Sequence, residues 1–286
     1  MPVPLITSTI PGHTTDALFR LWGGAYNTKL AYFGWVNTAD TGQINWTTVL
    51  APTVINTVQG YEIWRMADAL QATVPVFMKI EYGAGSIASS PAIWITIGSG
   101  SNGTGGLTGV TTVRQRFGFG TTVTALNWYW SGDTNRFMVA VFGASRALSF
   151  MVSIERTVDS GGVLTGEGVL LIGQDTSTWN QVAWNAITGA YTVWETSLGA
   201  LPPSTAPFGV FGTQIAIYPI YHNKGVFLNP GYGVFCYCDA TIASLSIISF
   251  NVYGSSHTYT ALGGLPFGLG FRAATPSVSA ILVRWE

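Results

Sequence analysis

Val76-Phe77-Met78-Lys79-Ile80-Glu81-Tyr82-Gly83, followed by Pro91-Ala92-Ile93-Trp94-Ile95-Thr96-Ile97-Gly98, is the stretch that decides the fold. In the first run Val76, Met78, Ile80 and Tyr82 fall on one side and Lys79 and Glu81 on the other, the two-residue period of a half-buried strand. The second run is β-branched and aromatic. It opens at a proline, which a strand start tolerates, and closes at Gly98-Ser99-Gly100. The same pattern recurs at 136–141, 148–156, 168–172, 181–184 and 191–195, then at 214–218, 233–238, 245–253 and 280–285. Turn signals lie between the runs: Asn102-Gly103, Asp159-Ser160-Gly161-Gly162, Thr188-Gly189 and Asn229-Pro230-Gly231. Many short strands at regular spacing predict a mainly β chain, an antiparallel β-sandwich of jelly-roll type.

Working toward the N-terminus, Tyr61 to Met66 reads as a further strand and Ala67 to Thr73 as a turn or single helical turn. One helix is expected. Thr14-Thr15-Asp16 is a cap-like cluster ahead of Ala17-Leu18-Phe19-Arg20-Leu21-Trp22. Gly23-Gly24 weakens its middle, the pattern resumes through Lys29-Leu30-Ala31, and Gly34 ends it. The chain divides on this reading into a short helical N-terminal arm for assembly, residues 1–59, and a β-sandwich, residues 60–286. Gly98 to Gly109 and Gly199 to Pro207 read as extended loops.

Composition narrows the function. Twelve Lys and Arg and thirteen Asp and Glu make 9% of 286 residues, and 48% are hydrophobic. Soluble domains carry roughly 25% charged residues. A compact monomer of this mass exposes roughly 12,000 Å², so one charged group serves about 470 Å². Large apolar surface of that kind marks an interaction site, which makes the chain a subunit of an assembly. Net charge is −1 and no basic stripe is visible, which excludes nucleic acid as the main partner. No run of about 20 apolar residues could span a membrane, and Met1-Pro2-Val3-Pro4 does not open a secretory signal.

Catalytic motifs are weak. Asp40-Thr41-Gly42 spells the aspartic-protease triplet, but that chemistry needs two carboxylates and a preceding apolar strand, so the triplet reads as a turn. His13, His222 and His257 have unlike surroundings, and His222 looks like a turn residue. Gly143-Ala144-Ser145-Arg146-Ala147 lacks the last glycine of a nucleophile elbow. Cys236 and Cys238 have no second ligand pair for zinc and read as small residues of a strand. Gly103 to Gly109 lacks the lysine of a phosphate loop. No catalytic residue, metal or cofactor is expected.

Two groups stand out for interaction. Trp128-Tyr129-Trp130, with Trp179, Trp184 and Trp194, concentrates aromatics in the middle third. A strand puts Trp128 and Trp130 on one face and Tyr129 on the other. Such a strand serves as sandwich core, as a subunit contact, or as a platform for sugar rings. Glu62, Arg65, Asp68, Lys79 and Glu81 gather charge in an otherwise uncharged region. They read either as an ion network fixing a hairpin or subunit contact, or as solvated side chains.

Two further stretches resemble a family of tailed-bacteriophage virion structural proteins. One runs Asn37-Thr38-Ala39-Asp40-Thr41-Gly42-Gln43-Ile44-Asn45-Trp46 and continues with Gly60 to Thr73 and Pro75 to Gly83. The other is Ser153-Ile154-Glu155-Arg156-Thr157-Val158-Asp159-Ser160, closed by Thr165-Gly166-Glu167-Gly168. The resemblance covers the first two-thirds of the chain. It implies a non-enzymatic component of the virion, made in the bacterial cytoplasm, with no catalytic residues to transfer. The expected partners are the chain itself, as a trimer or other symmetric homo-oligomer, other virion proteins, and host-surface glycans or pili touched by distal loops. The expected place is the tail tip, baseplate or fibre. The alternatives are a capsid decoration (cement) protein clamping capsomers through residues 1–59, and a glycan-binding or glycan-cleaving module.

Overall fold

In the computed structural model, the described residues are 5–10, 14–85, 88, 90–111, 114–118, 125–141, 150–159 and 163–174, together with strands between 185 and 284. Helix α1 (Asp16–Tyr32) is the one α-helix among them. The Thr15 hydroxyl caps it by accepting the Leu18 N–H at 3.3 Å, which satisfies one of the orphan donors of the first turn. Asp16 favours the positive end of the helix dipole and Lys29 the negative end. Gly34, at φ +89°, turns the chain out of the helix. The expected weakness at Gly23-Gly24 does not interrupt α1. The Trp46 ring lies so close that a Cβ on Gly23 would sit 1.8 Å from it, so the glycine exchanges helix propensity for ring contact.

The first sheet holds β2 (Val36–Asn37), β3 (Val58–Arg65), β4 (Phe77–Ala84), β5 (Pro91–Gly98) and β8 (Gln115–Gly118), in the order β2-β3-β4-β5-β8. A small hairpin of β6 (Gly100–Ser101) and β7 (Leu107–Thr108) interrupts it. The second sheet runs β1-β9-β10-β11-β12-β13, with β1 at Leu5–Ile10, β9 at Leu126–Asp133 and β10 at Arg136–Val141. Its remaining strands are β11 at Phe150–Val158, β12 at Leu164–Gln174 and β13 at Asn185–Thr188. Every strand pairing among the described residues of both sheets is antiparallel. The chain is mainly β with one N-terminal helix, as the strand periodicity predicted. Consecutive strands are mostly neighbours, a meander order. No described pairing makes the strand exchange of a jelly roll.

The inner faces of the two sheets share one core with α1. Phe19, Trp22, Tyr26 and Leu30, spaced three and four apart, form the buried stripe of the helix. They meet Trp64, Met78, Ile80 and Tyr82 of the first sheet and Trp128, Trp130, Phe137 and Val139 of the second. Tyr26 touches both: its ring is 5.8 Å from that of Tyr82 and 5.0 Å from that of Trp130. The Trp35 indole N–H joins the β9–β10 turn, donating to the Asp133 and Arg136 carbonyls at 2.9 and 3.1 Å.

Residues 1–59 are therefore not a separable arm. They contribute an edge strand to each sheet and the aromatic stripe between them. The pairings divide the chain later. Strands between 192 and 284 pair only among themselves in the described residues, as the sheets β14-β17-β18 and β15-β16-β19-β22-β21-β20. These are β14 (Thr192–Val193), β15 (Phe208–Val210), β16 (Ile215–Pro219), β17 (Tyr221–Lys224), β18 (Phe227–Pro230), β19 (Cys236–Cys238), β20 (Ile247–Val252), β21 (Ser255–Leu262) and β22 (Ala280–Arg284). His222 lies in β17, paired with Asn229, rather than in a turn. Cys236 and Cys238 lie in a strand, as expected.

Candidate functional site

The expected charge cluster separates: Glu62 turns inward, Asp68 leaves the hairpin, and Arg65, Lys79 and Glu81 stay on the outer face. The register of β3 and β4 sets this: Glu62 lies opposite Ile80, while Tyr61 faces Glu81 and Ile63 faces Lys79. Alternation sends Glu62 inward with Trp64, Met78 and Tyr82, and Lys79 and Glu81 outward.

Glu62 is 2% exposed. Its Oε1 accepts from the Asn27 amide at 2.6 Å and the Trp46 indole at 3.1 Å. Its Oε2 accepts from the Tyr82 hydroxyl at 2.6 Å and the Trp64 indole at 3.3 Å. Burial raises its pKa, and these four donors pull against that rise. No cation pairs with it among the described residues. The carboxylate ties the helix, the 38–57 segment and two strands to one point, so it is a structural centre and not an ion-network member.

Asp68 leaves the hairpin altogether. It pairs with Arg156 of β11, both buried, and the Arg156 Nη2 also donates to the Val74 carbonyl at 2.8 Å. The pair bolts the turn after β3 to the second sheet. Asp40 holds the β6–β7 hairpin. Its Oδ2 accepts from the Ser101 hydroxyl and from the Gly105 N–H at 3.0 Å. Burial opposes its charge, but bonds from Ser101, Thr38 and the Gly105 and Gly103 backbone prevail and lower its pKa. Segment 98–109 is thus a closed hairpin rather than an extended loop. Asn102 Oδ1 accepts the Thr104 and Gly106 N–H groups, each at 2.9 Å. The Asp40-Thr41-Gly42 triplet is a turn, with Gly42 at φ +82°. A shallow cleft of about 440 Å³ beside it is lined by Val36, Asp40, Arg65 and Phe77 among others.

The tryptophan strand is core. Trp128 and Trp130 are 1% and 0% exposed and Tyr129 is 5% exposed. The two indoles stack at 5.7 Å with 18° between planes, and α1 covers them through Tyr26. Of the three readings of this strand the sandwich core holds, and Trp128, Tyr129 and Trp130 are not an exposed contact or sugar platform. Trp179 lies outside the described residues.

Sequence reasoning missed an exposed surface. Leu50, Val54, Ile55 and Val58 are 60, 59, 51 and 37% exposed, and no charged residue lies between Asp40 and Glu62. The backbone beneath them is held firmly. Arg20 donates to the Val49 carbonyl at 2.7 Å, Asp16 accepts the Ala51 N–H at 2.8 Å, and Gln59 donates to the Leu50 carbonyl at 3.1 Å. Asn56, at φ 55°, donates its N–H to the Gly85 carbonyl at 2.8 Å. Gly83 lets this segment close on β4, for a Cβ there would lie 1.8 Å from the Thr57 carbonyl. The signal in the sequence was the long uncharged run punctuated by aliphatics, which period-2 reading passes over.

Among the described residues no group of three His, Cys, Asp or Glu side chains could hold a metal, and no helix is long and apolar enough to cross a membrane. No protein-family model and no curated protein matches the chain.

Proposed function

We propose that this chain is a non-enzymatic structural subunit of a tailed-bacteriophage particle, of the tail tip, baseplate or fibre region, working by association with copies of itself. The carrying observation is the segment Leu50–Val58. Four large aliphatics project from a backbone fixed by bonds to Asp16, Arg20, Gln59 and Gly85. Ordering entropy is already spent on such a segment, so covering it with another chain gains apolar burial at little further cost. The scarcity of charge supports the same reading, and the resemblance of residues 37–83 and 153–168 supports the phage particle as its setting. In this reading the oligomer is symmetric, a trimer, and host glycans or pili are met by surfaces beyond the tryptophan strand.

A cement role through a free N-terminal arm has lost its means, because α1 is part of the core. Quantitative mass spectrometry of purified virions, against the major capsid protein, tests the proposal. A few copies in a small symmetric multiple is the expected result. Parity with the capsid protein would move the chain to the head surface, and absence from the particle would refute the virion reading.

A further inference from the structure

The outer face of the first sheet keeps Arg65, Lys79 and Glu81 of the expected cluster and adds Arg114 and Arg116 from further along the chain. Arg65, Lys79, Arg114 and Arg116 are four of the twelve basic residues, and the acids on this side among the described residues are Glu81 and Asp40, which is buried in the cleft beside Arg65 and bonded to the β6–β7 hairpin. The register explains the gathering. Tyr61, Glu81, Trp94 and Arg116 form one cross-strand row, and Lys79 and Thr96 belong to the next. Arg114 and Arg116 both lie over the Trp94 ring, at 4.9 and 5.9 Å from its centroid. Arg114 also pairs with Glu81, and Lys79 sits 4.7 Å over the Tyr61 ring. Arg114 and Arg116 are exposed, and Arg116 has no acidic partner among the described residues.

We infer that this face docks an acidic segment of a different protein, with Arg114, Arg116 and Lys79 receiving its carboxylates. Charge complementarity selects the occupant. Guanidinium forks gathered over one ring are the donors that take a carboxylate by two hydrogen bonds, and Arg114 already holds one carboxylate, that of Glu81. The aromatic faces themselves are taken. Trp94 is 6% exposed beneath its arginines, and Tyr61 has Lys79 on its ring and Gly105 so close that a Cβ would lie 2.3 Å away. A single-stranded nucleic acid or a sugar chain would find no ring to stack on. Arg114 and Arg116 are two residues apart, about 7 Å along a strand, the spacing of acids at alternate positions of an extended partner.

A second copy of this chain is a poor occupant. Among the described acids, Asp40, Glu62, Asp68 and Glu155 are buried, Glu81 and Asp133 are paired, and the exposed Asp16 and Asp159 accept backbone N–H groups; no two of the thirteen acids in the sequence stand at alternate positions. The inference adds a heterotypic contact to the self-association proposed above and rests on that reading for the partner being another particle protein. Binding of an acidic peptide is measured separately from oligomer size, so each can fail alone.

The experiment is fluorescence anisotropy of the full chain with a labelled dodecapeptide of alternating Glu and Thr. A dodecapeptide of alternating Gln and Thr, oligo-dT and an alginate oligomer serve as competitors. The expected result is salt-dependent binding of the acidic peptide that the other three do not displace. Arg116→Glu should weaken it at least tenfold, and Lys79→Gln should weaken it to a lesser degree, with unfolding temperatures unchanged. No binding at low salt, equal binding by Arg116→Glu, or displacement by the Gln peptide, oligo-dT or alginate would each overturn the inference.

Discussion

Glu62 is the residue on which the first sheet, the helix and the connecting segment converge. Its folded pKa lies above the ordinary value of 4.5 because it is buried. Between those two values the folded chain keeps a proton that the unfolded chain has released, so the stability this group confers falls as pH rises. Glu62→Gln removes that titration while keeping an acceptor for Asn27 and Trp46. Urea unfolding of both proteins from pH 4 to pH 8 should show the wild type losing ground to the variant with rising pH. A difference independent of pH would mean that folding leaves the Glu62 pKa unshifted. Glu62→Ala strands the buried Trp64 and Tyr82 donors and the half-buried Asn27 and Trp46 donors and should cost at least about 3 kcal/mol, since each buried unsatisfied group costs roughly 1–3 kcal/mol. The sequence displayed Glu62 beside Arg65 and Asp68, and the two readings were an ion network or solvated side chains. Only the β3–β4 register turns it inward, and register depends on partners that no single run reveals.

Gly23 illustrates the same dependence at residue scale. Alanine is the better helix former by about 1 kcal/mol, yet its Cβ would collide with Trp46. Gly23→Ala should lower stability by about 1–3 kcal/mol through overpacking, measured by thermal unfolding. A stabilised variant would show that Trp46 does not pack there.

At the scale of elements, the strands were legible because their alternation is local: β4, β5 and β10 lie within two residues of where the periodicity put them. The helix was legible at its cap and its glycine stop, and misread in the middle, where a ring from residue 46 compensates for two glycines. The β6–β7 hairpin was missed because its closure depends on Asp40, sixty residues earlier. Between elements, Asp68 and Arg156 join the turn after β3 to β11. Breaking a buried pair leaves a charge without compensation, so Asp68→Asn should cost about 3–5 kcal/mol. The double variant Asp68→Leu with Arg156→Met should recover most of that loss. Denaturant unfolding of the wild type and both variants checks this. A double variant as unstable as Asp68→Asn alone would show that the lost packing, not the stranded charge, is responsible.

For the whole molecule, composition had indicated an incompletely covered apolar surface, and it was right about the amount of charge but silent about its placement. The tryptophans that looked available are internal. The exposed aliphatics sit instead in a segment without periodicity, and four of the twelve basic residues share one sheet face. Deleting residues 1–59 removes α1, β1 and β2, and with them Phe19, Trp22 and Tyr26. The remainder should not fold, read as loss of the near-ultraviolet circular dichroism of the tryptophan core. A cooperative, native-like remainder would restore the arm.

Sedimentation velocity of the full chain over a hundredfold concentration range, beside Val54→Asp/Ile55→Asp, tests the central claim most directly. Covering of Leu50–Val58 by neighbouring copies requires a discrete oligomer in the wild type and a folded monomer in the variant. A wild-type chain that stays monomeric at the highest concentration, or a variant that assembles as readily, would contradict it.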